Sequence, residues 1–332
     1  MERNDFMFAV NPQAGKGRGL LYGERIKKLF ACWGVKTLVI HTSKDGDNSA
    51  FALGKRAAQD GFHTLVGVGG DGIENLLFNG MMASGVPLEA LPRLGFIQAG
   101  TGNNLAKNIG VPGTFDEAMA VIRHGHTISI DVGLVTSPST RKYFLNVVSF
   151  GFDALVVEKT RDFKEKYRFV PKDLIYLLTA GQNIFLGFPS YRLCLSGPGF
   201  TLETESCLLA VLNGRTYGAI FHIAPGADLS DGLFDAYLID KVGKIKALDI
   251  LRRAIKGKHV GLPQVKHLKI ASLTLTSPDI LPCEVDGEVM PSQKEYQVSI
   301  LPRALKVLVP PTLVGVQTPI VAKAKAPEFQ PA

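Results

Sequence analysis

The stretch "LVGVGGDGIENLLFNG" runs from Leu65 to Gly80. Its first half is a short continuous apolar run, the pattern of a strand buried on both faces of a parallel sheet. The run ends in Gly69–Gly72, where glycines let backbone N–H groups approach an anion and a helix follows. Asp71 would then sit at the end of that strand. A carboxylate close to phosphates is repelled unless Mg²⁺ lies between them or it bonds a sugar. Taken alone, "GGDG" is equally well an ordinary strand-to-helix turn.

Working outward, the same alternation of strand and helix fills the first 125 or so residues. "FMFAV" (6–10) reads as a first strand and ends in the glycine-rich "NPQAGKGRG". A helix is expected from Leu20 to Trp33, a strand in "VKTLVIHT", and a helix in "NSAFALGKRAAQDG" with Gly61 just past its end. A fourth strand, "RLGFIQAG", turns through "TGNNLAKNIG" into a short helix. "TFDEAMAVIRHG" is a further helix, with Thr114 and Glu117 spaced as a capping box. Repeated βα units predict a doubly wound parallel sheet over residues 1–126.

From about Thr127 the pattern changes to strands separated by turns: "TISIDVGLVT", "KYFLNVVSFG", "YRLCLSG", "ESCLLAVLNG", "FDAYLID", "LKIASLTLTS" and "EYQVSILP". Helical stretches near 151–185 and 243–256 interrupt them. This predicts an antiparallel β-sandwich over 127–300, with a final strand near 300–310 free to return to the first domain. The Pro/Ala/Lys-rich tail, 311–332, reads as disordered.

Composition narrows the function classes. The chain has 332 residues, 46% of them hydrophobic, and a net charge of +7, which favours anionic partners. The four cysteines form no CxxC pair and no zinc-like cluster, and read as reduced core thiols of a cytoplasmic protein. The N-terminus lacks the apolar core of a signal peptide, and the most apolar long window, "LIYLLTAGQNIFLGFP", is broken by Gln182, Asn183 and two glycines. Membrane contact, if any, is expected to be peripheral. No nucleic-acid recognition motif accompanies the basic charge, so nucleic acid is not an expected partner. The oligomeric state is open, a homodimer included.

Three loops carry candidate chemistry at the carboxyl ends of the parallel strands, where such sheets bind ligands. They are "NPQAGKGRG", "GGDG" and "GTGNNLA", the last offering Thr101 and Asn103 at a helix start. The first lacks the spacing of a Walker A loop. In the second half, "DLSDGLFD" places Asp228, Asp231 and Asp235 close together, as an oxygen-ligated ion or a solvated hairpin turn would want. "VDGE" gives Asp286 and Glu288 around Gly287, either a carboxylate pair or a hairpin signal.

Taken in order, "NPQAGKGRG", "GGDGIENLLFNG", "GTGNNLAKNIGVP", "DLSDGLFD" and "VDGE" resemble the diacylglycerol kinase catalytic family, which includes bacterial soluble lipid kinases and sphingosine kinases. The resemblance spans Met7 to Pro310. It implies an ATP- and Mg²⁺-dependent lipid kinase with a nucleotide domain, a β-sandwich lipid domain and a cleft between them. Diacylglycerol is the default substrate and a long-chain base such as sphingosine the next. An NAD kinase, whose family shares the GGDG turn, and a non-catalytic lipid- or nucleotide-binding protein are the alternatives. The ATP phosphates would lie against Asn11, Pro12, Gly15, Thr42, Gly70, Asp71, Gly72, Thr101 and Asn103. A second metal site would use Asp228, Asp231 and the backbone oxygen of Leu233. Glu288 would be the general base, with Asp286 beside it.

The family pattern GGDGTxxExxNG departs here at two positions, Ile73 for Thr and Leu76 for Glu. Glu74 is about 200° from position 76 on a helix and is not expected to stand in for it. Between Lys241 and Lys269 there are nine Lys/Arg and one acid. Ile245, Leu248, Leu251 and Ile255 have helical spacing there, with Arg252, Arg253, Lys256 and Lys258 on the other side. The stretch suits an anionic membrane surface, or an ordinary helix with its apolar face packed inward and its basic face in water.

Overall fold

The computed structural model describes residues 5–100, 102–166, 172–218 and 220–311. The protein is mixed α/β, with a sheet-and-helix N-terminal half and a β-rich C-terminal half. Four parallel strands lie in the order β2 (Thr37–His41), β1 (Phe6–Val10), β3 (Thr64–Gly69) and β4 (Arg93–Gln98). Every residue of β3 is buried, which explains why its sequence is apolar without alternation.

Residues of β1 take opposite sides. Phe8 and Val10 pack with Ile26 and Phe30 of α1 (Arg18–Trp33) and with Phe115, Met119 and Ile122 of α5 (Phe115–His124). Met7 and Ala9 pack with Leu53 of α2 (Ala50–Gln59) and Leu77 and Phe78 of α3 (Asp71–Met82). Helices α2 and α3 cross in backbone contact. A Cβ on Gly54 would lie 2.0 Å from the Leu77 carbonyl oxygen, and one on Gly80 2.0 Å from that of Phe51. Thr114 occupies the N-cap position of α5, but its side chain makes no cap bond and the expected box does not form. Its hydroxyl donates to the Glu117 carboxylate at 2.5 Å instead of accepting a backbone N–H.

A short α4 (Asn104–Asn108) follows β4, and the C-terminal half begins with β5 (His126–Ser137), β6 (Thr140–Phe144) and β7 (Val147–Gly151). Helices α6 (Phe152–Lys166) and α7 (Lys172–Leu186) come next, then β8 (Tyr191–Gly197), β9 (Phe200–Leu212) and β10 (Phe234–Asp240). The chain closes with α8 (Lys244–Ala254), β11 (Val265–Ile270), β12 (Ser272–Val285) and β13 (Glu288–Val309). These strands pair antiparallel around a core that includes Phe144, Phe150, Leu209, Phe234, Leu275 and Tyr296.

Strand β13 joins the halves. It pairs antiparallel with β12 and β5, and its far end lies parallel to β4, Val307 opposite Leu94. The result is one 13-stranded sheet. Three sequence expectations are corrected. "KYFLNVVSFG" is two strands, because the amides of Leu145, Asn146 and Val147 leave the ladder to bond Asp286. Helix α8 buries Ala247, Ile250 and Ala254 and packs Leu248 and Leu251 of the expected stripe partly against the core, but Ile245, which starts that stripe, is 87% exposed. Of the four free thiols, Cys207 and Cys283 are buried, but Cys32 is exposed on α1. The expected tail, 312–332, lies outside the described residues.

Candidate functional site

The loops that follow β1, β2, β3 and β4 meet at one sheet edge because backbone bonds tie them. Asn11 N–H donates to Val68 O at 3.0 Å, Thr42 N–H to Val10 O at 2.8 Å, and both Ala99 and Gly100 N–H to Gly69 O at 2.7 Å. Gly70 and Gly100 touch backbone to backbone, since a Cβ on Gly100 would lie 2.7 Å from Gly70 Cα. Asn11 folds its own loop by accepting the Gln13 N–H at 3.0 Å, which carries the chain past Pro12 to Gly15. Helix α1 starts after Gly17 and α3 after Gly70, neither with a side-chain cap. In α1 the N–H groups of Arg18, Gly19 and Leu20 already donate to the carbonyls of Gly15, Ala14 and Gly17, so the anion site at this edge falls to the start of α3, ahead of Ile73 and Glu74, whose N–H groups donate to Gly70 O. Thr101 lies outside the described residues.

Asp71, in the first turn of α3, binds the neighbouring loop. It accepts the Asn104 N–H at 2.5 Å and the Asn104 side-chain amide at 3.2 Å. Burial pushes its carboxyl up, against the pull of the backbone N–H groups at the start of α4. Asn103 takes a left-handed backbone and turns inward, donating to Gln98 Oε1 at 3.2 Å and to Gly100 O at 3.1 Å. Gly72 begins α3 beside it.

The two departures from the family pattern have different surroundings. Ile73 is buried in the core between α3 and the sheet, whereas Leu76 is partly exposed. Glu74, unremarkable in sequence, is 2% exposed and its Oε2 has no hydrogen-bond partner. Burial pushes its carboxyl well up, and the charges of Asp71 and Asp286 push it further.

Asp286 and Glu288, close in sequence, do different work. The Asp286–Gly287 pair forms the β12–β13 turn with positive φ at both residues, 49° and 85°. Asp286 is partly buried and accepts four donors: the N–H groups of Leu145 (2.7 Å), Asn146 (3.0 Å) and Val147 (2.9 Å), and the Asn75 amide (2.8 Å). It therefore pins the β6–β7 bend and the hairpin against α3. Asn79, one turn beyond Asn75, extends that seam by exchanging hydrogen bonds with the Tyr143 backbone at 3.1 Å. Burial pushes the Asp286 carboxyl up in spite of these donors. Glu288 is half-exposed, and its Oε2 accepts the Lys142 ammonium of β6. The sequence showed no pairing of Lys142 with Glu288, because 146 positions separate them.

Behind the hairpin lies a second polar group that sequence reading missed. Ser149 Oγ lies 2.6 Å from Asp153 and 2.8 Å from Glu284, and Glu284 in turn accepts the Gly287 N–H at 2.7 Å. A hydroxyl has one proton, so one of these two acids must itself be protonated. Burial pushes both carboxyls up, Glu284 well up with the Asp153 charge adding to it. The hydroxyls of Tyr176 and Tyr217 also reach Asp153. Asp153, Tyr176 and Tyr217 line a mostly apolar cavity of about 90 Å³, walled by Phe152, Ile184, Phe188, Phe221 and Leu251 among others. The only sequence trace was Ser149 and Asp153 within "SFGFDA".

The 228–233 loop has its donors in use. Asp228 accepts the Ser230 N–H and hydroxyl, both at 2.9 Å. Asp231 accepts the Leu233 N–H at 3.0 Å and the Lys269 ammonium at 2.8 Å. Lys269 also lies 3.5 Å from Asp235, which is buried and bonded to His267 Nε2 at 2.6 Å. Among the described residues no group of three or more His, Cys, Asp or Glu is arranged to hold a metal ion. Of the oxygens named from the sequence for a second ion, Asp228 Oδ1 is engaged by Ser230 and both oxygens of Asp231 by the Leu233 N–H and Lys269.

Two family descriptions match this chain. "Diacylglycerol kinase catalytic domain" matches residues 5–135, and "YegS C-terminal NAD kinase beta sandwich-like domain" matches residues 146–309. A diacylglycerol kinase of Staphylococcus carnosus is 26% identical over 77% of this chain and 79% of its own. A "Probable lipid kinase YegS-like" of Xanthomonas oryzae is 27% identical over 83% of this chain and 88% of its own. The crystal structure of a diacylglycerol kinase from Bacillus anthracis superposes with a TM-score of 0.69 at 18% identity, covering 94% of this chain and 99% of that one, a likeness of fold.

Proposed function

The chain belongs to the diacylglycerol kinase catalytic family of lipid kinases, and on that premise we propose that it moves the γ-phosphoryl group of ATP·Mg²⁺ onto the hydroxyl of a membrane lipid, diacylglycerol first and a long-chain base second. The observation that carries this reading is the apolar cavity behind the hairpin. It is lined by the Asp153 carboxyl and the hydroxyl-bearing Tyr176 and Tyr217, and Ser149 and Glu284 connect Asp153 by hydrogen bonds to the turn bearing Glu288. An alkyl chain would lie among the apolar walls with its polar end directed toward the turn. The small volume means that a full acyl chain enters only as α6, α7 and α8 part.

At the other edge, the uncapped start of α3 and the loops around Asn11, Gly15 and Gly70–Gly72 would cradle the nucleotide phosphates. Mg²⁺ arriving with ATP would neutralise charge on the transferred group, whose loose transition state depends on positioning and electrostatics. Glu288 would take the proton of the lipid hydroxyl as the new P–O bond forms.

Membrane contact is part of the same proposal. No helix of the described residues is long and apolar enough to cross a membrane. Leu178, Phe185 and Leu186 of α7 and Ile245 of α8 are nonetheless exposed, and Lys244 Nζ donates to Phe185 O at 2.7 Å, tying the two helices together. With Arg252 and Arg253 on the same helix, this edge suits an anionic leaflet, where each Lys or Arg adds roughly 1 kcal/mol. The test is labelled ATP with Mg²⁺ offered to vesicles of different lipids, and to NAD as a water-soluble acceptor. Labelled diacylglycerol supports the reading. Labelled NAD, or no labelled lipid in any vesicle, overturns it.

A further inference from the structure

We propose that Lys269 is a built-in cation of the 228–233 loop, its ammonium standing where the sequence resemblance puts a divalent ion, so that this loop is set without metal. Three observations carry this. First, the Lys269 ammonium lies 2.8 Å from the carboxylate of Asp231, an acid a bound ion would draw on, and 3.5 Å from that of the neighbouring Asp235. Second, the loop is already closed by its own donors. Asp228 holds Ser230 and Asp231 holds the Leu233 N–H. A Mg²⁺ ion needs near-octahedral oxygens at about 2.0–2.1 Å, and to take the Asp231 carboxylate it must displace the Lys269 ammonium or the Leu233 N–H. Third, Lys269 comes from β11 beside β10, an ordered strand pair with Asp235 directly opposite it. The cation is therefore delivered by the sheet itself.

The loop so set is connected to the site. The Gly232 N–H donates to Asp131 at 2.7 Å, and Asp131 also accepts the Arg303 N–H at 2.7 Å. The Asn213 amide bridges Asp131 O (2.8 Å) and Leu145 O (3.0 Å), and the Leu145 N–H reaches Asp286. A fixed charge at Lys269 thus sets one end of a hydrogen-bonded path whose other end is the hairpin of Glu288. Lys269 acts through other residues and is a positioning residue.

The test needs neither ATP nor lipid, so it stands or fails apart from the kinase reading. Mn²⁺ replaces Mg²⁺ as an oxygen-seeking probe, and its binding to nucleotide-free protein is followed by electron paramagnetic resonance. Wild type and Asp231→Asn are expected to bind Mn²⁺ equally. Lys269→Met is expected to gain a bound ion that the double variant Lys269→Met/Asp231→Asn lacks, while Lys269→Arg gains none. The proposal is overturned if wild type binds an ion that Asp231→Asn loses, or if Lys269→Met with a native circular dichroism spectrum gains none. Should Lys269→Met fail to fold, the comparison of wild type with Asp231→Asn decides alone.

Discussion

Glu288 and Asp286 are two residues apart and carry opposite burdens. Glu288 is half in solvent, where a substrate hydroxyl can reach it, and its substitution is an experiment on chemistry. General-base catalysis is worth about 10²–10⁴-fold, so Glu288→Gln should lower kcat by that order. The KM for ATP should hardly change, and steady-state kinetics in lipid vesicles would reveal a loss that lay in KM instead. Asp286 is an experiment on folding. Its carboxylate satisfies three backbone N–H groups and the Asn75 amide at once. Asp286→Ala strands those donors, each unsatisfied buried group costing about 1–3 kcal/mol. The expected result is a large fall in the urea midpoint, with the protein failing before its kinetics can be measured. A variant of normal stability and low kcat would show that Asp286 acts in the reaction itself.

At the scale of elements, the α2–α3 crossing is the most sensitive packing in the N-terminal half. Gly54→Ala or Gly80→Ala puts a methyl group into a facing carbonyl, and overpacking of this kind costs about 1–3 kcal/mol. Urea melts should show it, and the paired variant should cost less than the sum, because either methyl alone already parts the helices. For α8, Ile245→Asp should weaken sedimentation with anionic vesicles while leaving the melting temperature unchanged, since that side chain packs against nothing it would lose.

The elements also differ in how well sequence announced them. The βα units of the first half were legible because apolar runs end in glycine turns, and "GGDG" and "GTGNN" do end strands at one edge. The face of α8 was legible only in part: Leu248 and Leu251 do pack inward, but Ala247 and Ala254, which let it sit close, look neutral beside the exposed Ile245. The break inside "KYFLNVVSFG" was not legible, since it is made by a carboxylate some 140 positions away. Lys269 reaches Asp231 across 38 positions, and Glu74 became notable only when burial left one of its oxygens without a partner. Short-range pattern gave the turns; side-chain pairings across the sheet came only with the fold.

The molecule as a whole stores several carboxyls where water does not reach. Burial raises the folded-state pKa of Asp71, Glu74, Asp131, Asp153, Glu284 and Asp286. A raised folded value means that the native state holds these protons more tightly than the unfolded chain. Their stabilising effect is complete below the unfolded values, 3.8 for Asp and 4.5 for Glu, and is lost as pH rises through the folded ones. Denaturant stability is therefore expected to fall between mildly acidic and mildly alkaline pH. Glu74→Gln, which keeps the shape without the charge, should flatten that slope. A wild-type profile that rises toward alkaline pH would contradict it.

Strand β13 gives the molecule a further property, one of timing. The outer edge of β4 is covered by Val307, near the end of the described chain, and by no earlier residue of the first half. A nascent chain leaving the ribosome exposes that edge through the synthesis of some two hundred further residues. Until Val307 emerges, the phosphate loops rest on a sheet with an open side, the kind of edge that invites pairing with other chains. Nucleotide binding and hairpin chemistry should thus mature together and late, and a chain released before Leu305 should be captured by chaperones rather than persist as a half-finished enzyme.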